Sequence, residues 1–198
     1  PDIIVISDEI YEHINFTQQH ASMANFEDMY DCTVTVNGVS KAFSMTGWRI
    51  GYIGAPEYIA RACNKMQGQV TSGANCIGQK AAVTALENSP SKIKYMIDAF
   101  KERRGLILGL LADIDGFKIN EPQGAFYVFP DISYYFGKTL RGTTINSATD
   151  FSLYLLENAK VATVTGEAFG DPNCIRISYA ASNDDITAAM RQIKEVLA

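Results

Sequence analysis

The sequence predicts an α/β protein, and three observations carry that prediction. Ile3-Ile4-Val5-Ile6 is an apolar run without alternation, the pattern of a strand covered on both faces in a parallel sheet. Residues 91–114 repeat apolar side chains at helical spacing, through Ile93, Met96, Ile97, Phe100, Ile107, Leu111 and Ile114. Further on, strand patterns at 161–165 and 174–179 are mixed with helical ones, which reads as a compact α/β unit.

Composition narrows the function classes. The 198 residues are 47% hydrophobic and 20% charged, enough for a real core, and the net charge is −5. The longest basic cluster is Lys101-Glu-Arg-Arg104, which argues against nucleic acid as the main partner. No apolar run reaches the roughly 18 residues of a membrane span. Cys32, Cys63, Cys76 and Cys174 are far apart and form no CxxC, and with only His13 and His20 beside them no zinc constellation stands out. They read as free thiols in a reducing cytosol. A strand pattern at residue 3 with no methionine or signal peptide before it reads as the middle of a domain.

Taken in order, Ser7-Asp8-Glu9 ends the first run. Carboxylates at the carboxyl end of a buried parallel strand point into the crevice where such sheets bind ligands. A cap or loop role explains Asp8 equally. Residues 15–33 are polar, with Met23, Phe26 and Tyr30 spaced for a short helix; His20 carries no assignment, and His13 reads as a residue that packs or hydrogen-bonds rather than reacts. Val34-Thr35-Val36 is a strand that Asn37-Gly38 should break, which puts Lys41 in a loop at a strand end. A positioned amine in a partly dry site is what covalent chemistry on a carbonyl requires. Arg49 offers a rigid fork of donors for a phosphate or carboxylate and begins a second strand. A lysine and an arginine in an ordinary surface loop would look the same.

Pro56 opens a helix with Ile59, Ala62, Cys63 and Met66 on one face, interrupted at 68–73. A small-residue helix follows over 74–86, and Asn88-Ser89-Pro90 marks a break. Arg104 interrupts the apolar face of the long helix, whose length suits either a bridge between domains or a surface helix. Glu121-Pro-Gln-Gly124 is a turn before a strand at 125–129. Residues 130–146 read as a polar excursion in which Lys138 and Arg141 are solvated. Ser147 and Thr149 compete as the next helix cap. Arg176 lies between Ile175 and Ile177 and faces opposite to them, as an exposed edge arginine would. Ser182 and Asp185 cap a last helix with Ile186, Ala189, Met190, Ile193, Val196 and Leu197 on its face.

Ser40-Lys41-Ala42-Phe43-Ser44-Met45-Thr46-Gly47-Trp48-Arg49-Ile50-Gly51-Tyr52 resembles the cofactor-lysine signature of the class I/II aminotransferases, pyridoxal-phosphate enzymes of fold type I. Ser7-Asp8-Glu9-Ile10-Tyr11-Glu12-His13, Gly124-Ala125-Phe126-Tyr127, Gly166-Glu167-Ala168-Phe169-Gly170 and Cys174-Ile175-Arg176-Ile177-Ser178-Tyr179-Ala180 match in the same order, so the resemblance covers nearly the whole chain. It implies that Asp8 pairs with the pyridine nitrogen of pyridoxal 5'-phosphate and that Tyr11 hydrogen-bonds the ring's phenolic oxygen. Lys41 would hold the cofactor through its amine and then move the proton between substrate Cα and cofactor. Arg49 would bind the phosphate with Ser40 beside it. Arg176 would grip the substrate α-carboxylate, and Gly124 would line the substrate side. Some relatives carry serine where this chain has Gly38, a phosphate contact that would be missing here.

The resemblance further implies a partial large domain over 1–90, built on a mostly parallel sheet, and a small C-terminal domain over 91–198 that includes the interdomain helix. Family chains are about twice as long and these motifs belong to their second half, so the chain is expected to be a C-terminal half, inactive alone. The whole enzyme would be a homodimer that moves an amino group from an L-amino acid, aspartate first, to a 2-oxo acid. A lyase or synthase of the same fold would share these residues, and a regulator's sensing domain would share the fold.

Overall fold

The computed structural model describes residues 3–17, 19–88 and 90–198, so the break expected at Asn88-Ser89-Pro90 falls partly outside the described residues. The chain divides into two compact units, one ending at Ile97 and one beginning at Asp98.

In the first unit, β1 (Val5–Asp8) pairs in parallel with β2 (Thr33–Gly38), and β2 pairs antiparallel with β3 (Gly51–Gly54). The sheet is therefore mixed rather than mostly parallel, because the short chain between β2 and β3 allows only a return strand. Three strand expectations shift, the first being that β3 begins at Gly51 rather than at Arg49, whose left-handed backbone lies outside the strand. β1 begins at Val5, and its Ile6–Asp8 face stays open, with Ile6 72% exposed. Asn37 and Gly38 stay inside β2 instead of breaking it. Gly38 lies opposite Gly51, and the Asn37 side chain accepts from the Gly38 amide at 2.7 Å. The strand is kept by this close glycine–glycine approach, for which a backbone without Cβ is required.

The helix expected after Pro56 is α1 (Glu57–Val70), which passes through Gly68 and ends only at Thr71. α2 (Cys76–Glu87) starts at Asn75, whose side chain accepts from the Gly78 amide at 2.6 Å. Residues 23–32 form two single 3₁₀ turns, Met23–Asn25 and Tyr30–Cys32, rather than one helix.

Glu9 ties this unit's loop to its sheet. Its side chain is buried at the carboxyl end of β1. It accepts from Ser7 Oγ at 3.0 Å, Ser22 Oγ at 2.9 Å, the Met23 amide at 3.3 Å and His20 Nε2 at 2.8 Å. Burial opposes the charge, but the hydrogen bonds from His20, Ser22, Ser7 and Met23 together hold the carboxyl below its ordinary value of 4.5.

In the second unit, β4 (Tyr127–Val128), β8 (Ile175–Ser178) and β7 (Val164–Thr165) form an antiparallel sheet in the order β4-β8-β7. Its core packs Ile107 and Leu111 of α3 (Lys94–Ala112) with Phe151 and Tyr154 of α4 (Ala148–Tyr154). Ile175 and Ile177 join them, with Ile186, Met190 and Ile193 of α5 (Asn183–Leu197). Two caps are as expected in kind. Ser147, not Thr149, accepts from the Asp150 amide at 3.1 Å, and Ser182 accepts from the Asp185 amide at 3.1 Å. The segment 130–146 is not a solvated excursion. It buries Ile132, Tyr135 and Ile145 and forms a small hairpin of β5 (Thr139–Leu140) and β6 (Thr143–Thr144). Arg104, which interrupts the apolar face of α3, turns inward to donate to the Pro122 carbonyl and to Glu121, each at 2.6 Å.

The Glu9 network gives a signed pH dependence. A carboxyl held below its ordinary value contributes stability that is complete above about pH 4.5 and is lost as the pH falls through the lower folded-state value. Glu9→Gln should cost about 1.5–3 kcal/mol in denaturant unfolding at neutral pH. The gap to the unvaried chain should narrow as the pH is lowered below about 4.5; a gap that stays constant in acid contradicts the assignment.

Candidate active site

Strand direction assembles the first group of residues. Asp8 is the last residue of β1, and its register partner Val36 lies two residues before β2 ends at Gly38. Parallel pairing therefore delivers Asp8 and Lys41 at the same, carboxyl end of the two strands. Asp8 is exposed, and its Oδ1 accepts from the Ile10 amide at 3.2 Å, which bends the chain away from β1. Tyr11 follows in a turn closed by the bond from the Ile14 amide to its carbonyl, at 2.9 Å. Lys41 sits in the turn after β2, half-buried, with its Nζ 6.0 Å from the centre of the Tyr11 ring. A phenol and an amine thus face one another beside the end of the strand that carries the carboxylate.

The hairpin places the second group. Gly38 pairs with Gly51, and the Val39 amide reaches the Ile50 carbonyl at 3.4 Å, so Ser40 and Arg49 are the next residues on the two sides of the hairpin. Arg49 has left-handed backbone angles, φ 55° and ψ 48°, which a side chain other than glycine adopts at a cost of about 1–2 kcal/mol. Its Nη1 donates to the Thr46 carbonyl at 2.9 Å. The residue lines an open cavity of about 730 Å³ with Ile50, Tyr52, Gln67 and Gln79. Asp8, Tyr11 and Lys41 do not line that cavity or the neighbouring one against α1.

Gly38 itself has a local explanation. A Cβ there would lie 2.9 Å from the Ile50 carbonyl oxygen and 3.1 Å from Gly51 Cα, both backbone atoms of the paired strand. A side chain at this position would force the paired strand to shift.

The second unit holds the remaining candidates. On β8, Ile175 and Ile177 are buried and Arg176 faces the other way, as alternation requires. The Arg176 Cζ lies 4.5 Å from the centre of the Tyr127 ring and 4.2 Å from that of Phe169. Gly124 is half-buried and precedes Ala125, whose φ is 59°. That turn is fixed from behind, since the buried Tyr179 donates its hydroxyl to the Ala125 carbonyl at 3.1 Å. Arg104 holds Glu121 and Pro122 on its other side.

Two other residues take structural roles. His13 meets the Phe43 ring edge-on at 6.1 Å, and its Nε2 lies 3.1 Å from Glu12 Oε1. Cys174 is buried, and burial followed by the neighbouring Asp171 pushes its thiol up to about 11, so it stays protonated. Ligand atoms of Glu9, Glu12 and His20 lie within 4.8 Å of one another. The Ser7, Ser22 and Met23 donors already engage Glu9, which makes it an anchor for the loop rather than a metal ligand. Glu9, expected with Asp8 to face the ligand crevice, is instead buried among the loop's donors, while Tyr127 and Phe169 stand unassigned inside the motifs that carried the resemblance.

With this geometry in place, comparison with known proteins is direct. The chain matches the family model "Aminotransferase class I and II" over residues 2–193 and belongs to that family. It is 50% identical over 202 aligned residues to the bifunctional aspartate aminotransferase and glutamate/aspartate-prephenate aminotransferase of Petunia hybrida, covering 100% of this chain and 42% of that protein. The crystal structure of aspartate aminotransferase from Rhizobium meliloti superposes with a TM-score of 0.93 at 40% identity, over 98% of this chain and 49% of the other. The aspartate aminotransferase of Thermus thermophilus with maleate gives 0.89 at 35% identity, over 99% and 49%. The chain thus spans about half the length of the relatives it matches. The fold is the α/β architecture of fold-type-I transferases, with a mixed sheet in one unit and a small antiparallel sheet in the other. No helix among the described residues is long and apolar enough to cross a membrane.

The hairpin yields a direct test. Gly38→Ser should destabilise the chain by about 1–3 kcal/mol in thermal or denaturant unfolding, because the Ile50 carbonyl must move. Gly54→Ser, where a Cβ meets nothing within 4 Å, should change stability by less than about 0.5 kcal/mol. Equal effects would contradict the close-approach account.

Proposed function

We propose that these residues belong to an aminotransferase that uses pyridoxal 5'-phosphate to move an amino group from a dicarboxylic L-amino acid, aspartate first, to a 2-oxo acid. The observation that carries the reading is the meeting of Lys41 and Tyr11 at the strand end that also delivers Asp8. The donor set suits that cofactor: a carboxylate for a ring nitrogen, a phenol for a ring hydroxyl, an amine for an aldehyde and a guanidinium for a phosphate. When bound, the cofactor supplies an electron sink for the charge left when substrate Cα loses its proton.

The chain's own residues do the rest. The Asp8 carboxylate keeps a proton on the ring nitrogen. The Tyr11 phenol donates beside the Lys41 amine and tunes its proton affinity. Lys41 Nζ would hold the cofactor and would move the proton at substrate Cα. Arg49, with Ser40 beside it, holds the phosphate. Arg176 takes the substrate α-carboxylate through two parallel N–H donors and so orients the Cα–H bond, while Gly124 leaves room on the substrate side. Aspartate is supported by the names of the Petunia and Rhizobium relatives, and a dicarboxylate site by the maleate of the Thermus structure.

The twofold length of the relatives supports a reading in which the chain is the C-terminal half of the enzyme, with residues 1–90 completing a large domain and residues 91–198 forming a small one. The exposed Ile6 of β1 and the exposed Tyr58, Met66, Val70 and Ile77 of α1 and α2 support partners for this unit, a homodimer among them. Unpaired cysteines support a reducing compartment such as the cytoplasm.

In the enzyme that contains these residues, Arg176→Leu should lower kcat/KM for aspartate with 2-oxoglutarate by at least about 100-fold. The 198-residue chain alone should show no steady transfer, because a site with part of its walls missing holds its groups loosely. Turnover by the isolated chain at an enzyme's ordinary rate would overturn the half-enzyme reading, and full activity in the arginine variant would overturn the role of Arg176.

A further inference from the structure

Two sequence motifs are left over when the cofactor residues have been assigned. Gly124-Ala125-Phe126-Tyr127 and Gly166-Glu167-Ala168-Phe169-Gly170 supply no general base, no phosphate ligand and, apart from Gly124, no substrate contact. The structure brings one aromatic ring from each to a single place, the guanidinium of Arg176.

The backbone is built to deliver both rings. Tyr127 of β4 is the register partner of Ser178, which lies two residues beyond Arg176 on β8 and on the same face. The tyrosine therefore reaches Arg176 diagonally across the sheet, away from the core that Val128, Ile175 and Ile177 fill. Phe169 arrives on a 3₁₀ turn, Gly166–Phe169, packed hard against the approach to β8. The Gly166 amide donates to the Cys174 carbonyl at 2.7 Å and the Asp171 amide to the Gly166 carbonyl at 3.1 Å. A Cβ on Gly166 would collide with the carbonyls of Asp171 and Cys174, and Gly170 closes the turn with a φ of 88°. Both glycines are thus required for the turn that carries Phe169. The Phe169 ring also meets the Phe129 ring edge-on at 6.1 Å, so it is held on a second side. It nevertheless stays 47% exposed, with Arg176 as its cationic neighbour.

We propose that Tyr127 and Phe169 are positioning residues: together they clamp the Arg176 guanidinium by its π surface and leave its N–H edge aimed at a carboxylate. An arginine side chain has four rotatable bonds to its planar head, and an unheld head must be ordered by the ligand it binds. Stacking on aromatic rings orders it beforehand and leaves the in-plane N–H donors unused. The clamp would therefore set affinity for the carboxylate without touching it. This rests on the reading of Arg176 as the carboxylate grip and adds the residues that make the grip rigid.

The test uses the enzyme that contains these residues, labelled with ¹⁵N, and follows the Arg176 Nε–Hε resonance. In the unvaried chain that group should be ordered, with a heteronuclear NOE near backbone values, and in Phe169→Leu and Tyr127→Leu it should fall toward that of exposed Arg61. Tyr127→Phe and Phe169→Tyr, which keep the rings, should restore it. Titration with maleate should shift the Arg176 signal in the unvaried chain, with affinity weakened about 10-fold in each leucine variant. Equal order and equal affinity in all variants would overturn the clamp while leaving the carboxylate reading intact. Order that depends on the rings, with no maleate shift in any variant, would overturn the carboxylate reading and leave only a structural stack.

Discussion

The parallel pairing of β1 with β2 is the constraint on which the first unit depends. It aligns Val5 with Thr33 and Asp8 with Val36, and so fixes which end of the sheet both strands leave. A carboxylate, a phenol and a lysine come from segments some thirty residues apart, and none could meet the others without this shared direction. A slip of one residue would turn Asp8 to the other face and exchange it for Ser7 or Glu9. Glu9 next to it fixes the neighbouring loop against β1, because it is buried among Ser7, His20, Ser22 and the Met23 amide.

The β2–β3 hairpin adds a second constraint of a different kind. Its strands approach through facing glycines, Gly38 and Gly51, and the chain between them carries Ser44 and Arg49 in left-handed conformations. Strain of this type persists only where the surroundings fix the backbone. Here it accompanies Arg49, whose guanidinium donates to the Thr46 carbonyl. The second unit follows the same logic with other means: Ala125 takes a positive φ next to Gly124, while Arg104 and Tyr179 pin that turn from either side.

Much of this was legible in the residues. Alternation placed Arg176 against Ile175 and Ile177, and Ser182 with Asp185 marked the start of α5. The apolar face of that helix is the buried one at Ile186, Met190, Ile193 and Val196. What escaped depends on partners distant in sequence. Asn37-Gly38 has the composition of a turn, and only pairing with Gly51 keeps it in a strand. Ile132, Tyr135 and Ile145 are scattered among polar residues without a period, so the segment looked solvated although tertiary packing buries it. Arg104 looked like a defect in an apolar stripe because nothing in its own helix reveals the Pro122 carbonyl it serves. The value of Glu9, Tyr127 and Phe169 likewise appears only when three separate segments are brought together.

The central claim is that Lys41, held beside Tyr11 at the end of the parallel pair, is the residue that binds pyridoxal 5'-phosphate covalently. The most direct measurement is an absorbance titration of the chain with that compound, alongside Lys41→Ala. The account predicts a visible band that saturates in the unvaried chain and is absent from the alanine variant. A band of equal strength in both proteins would mean adventitious reaction with surface lysines and would contradict it.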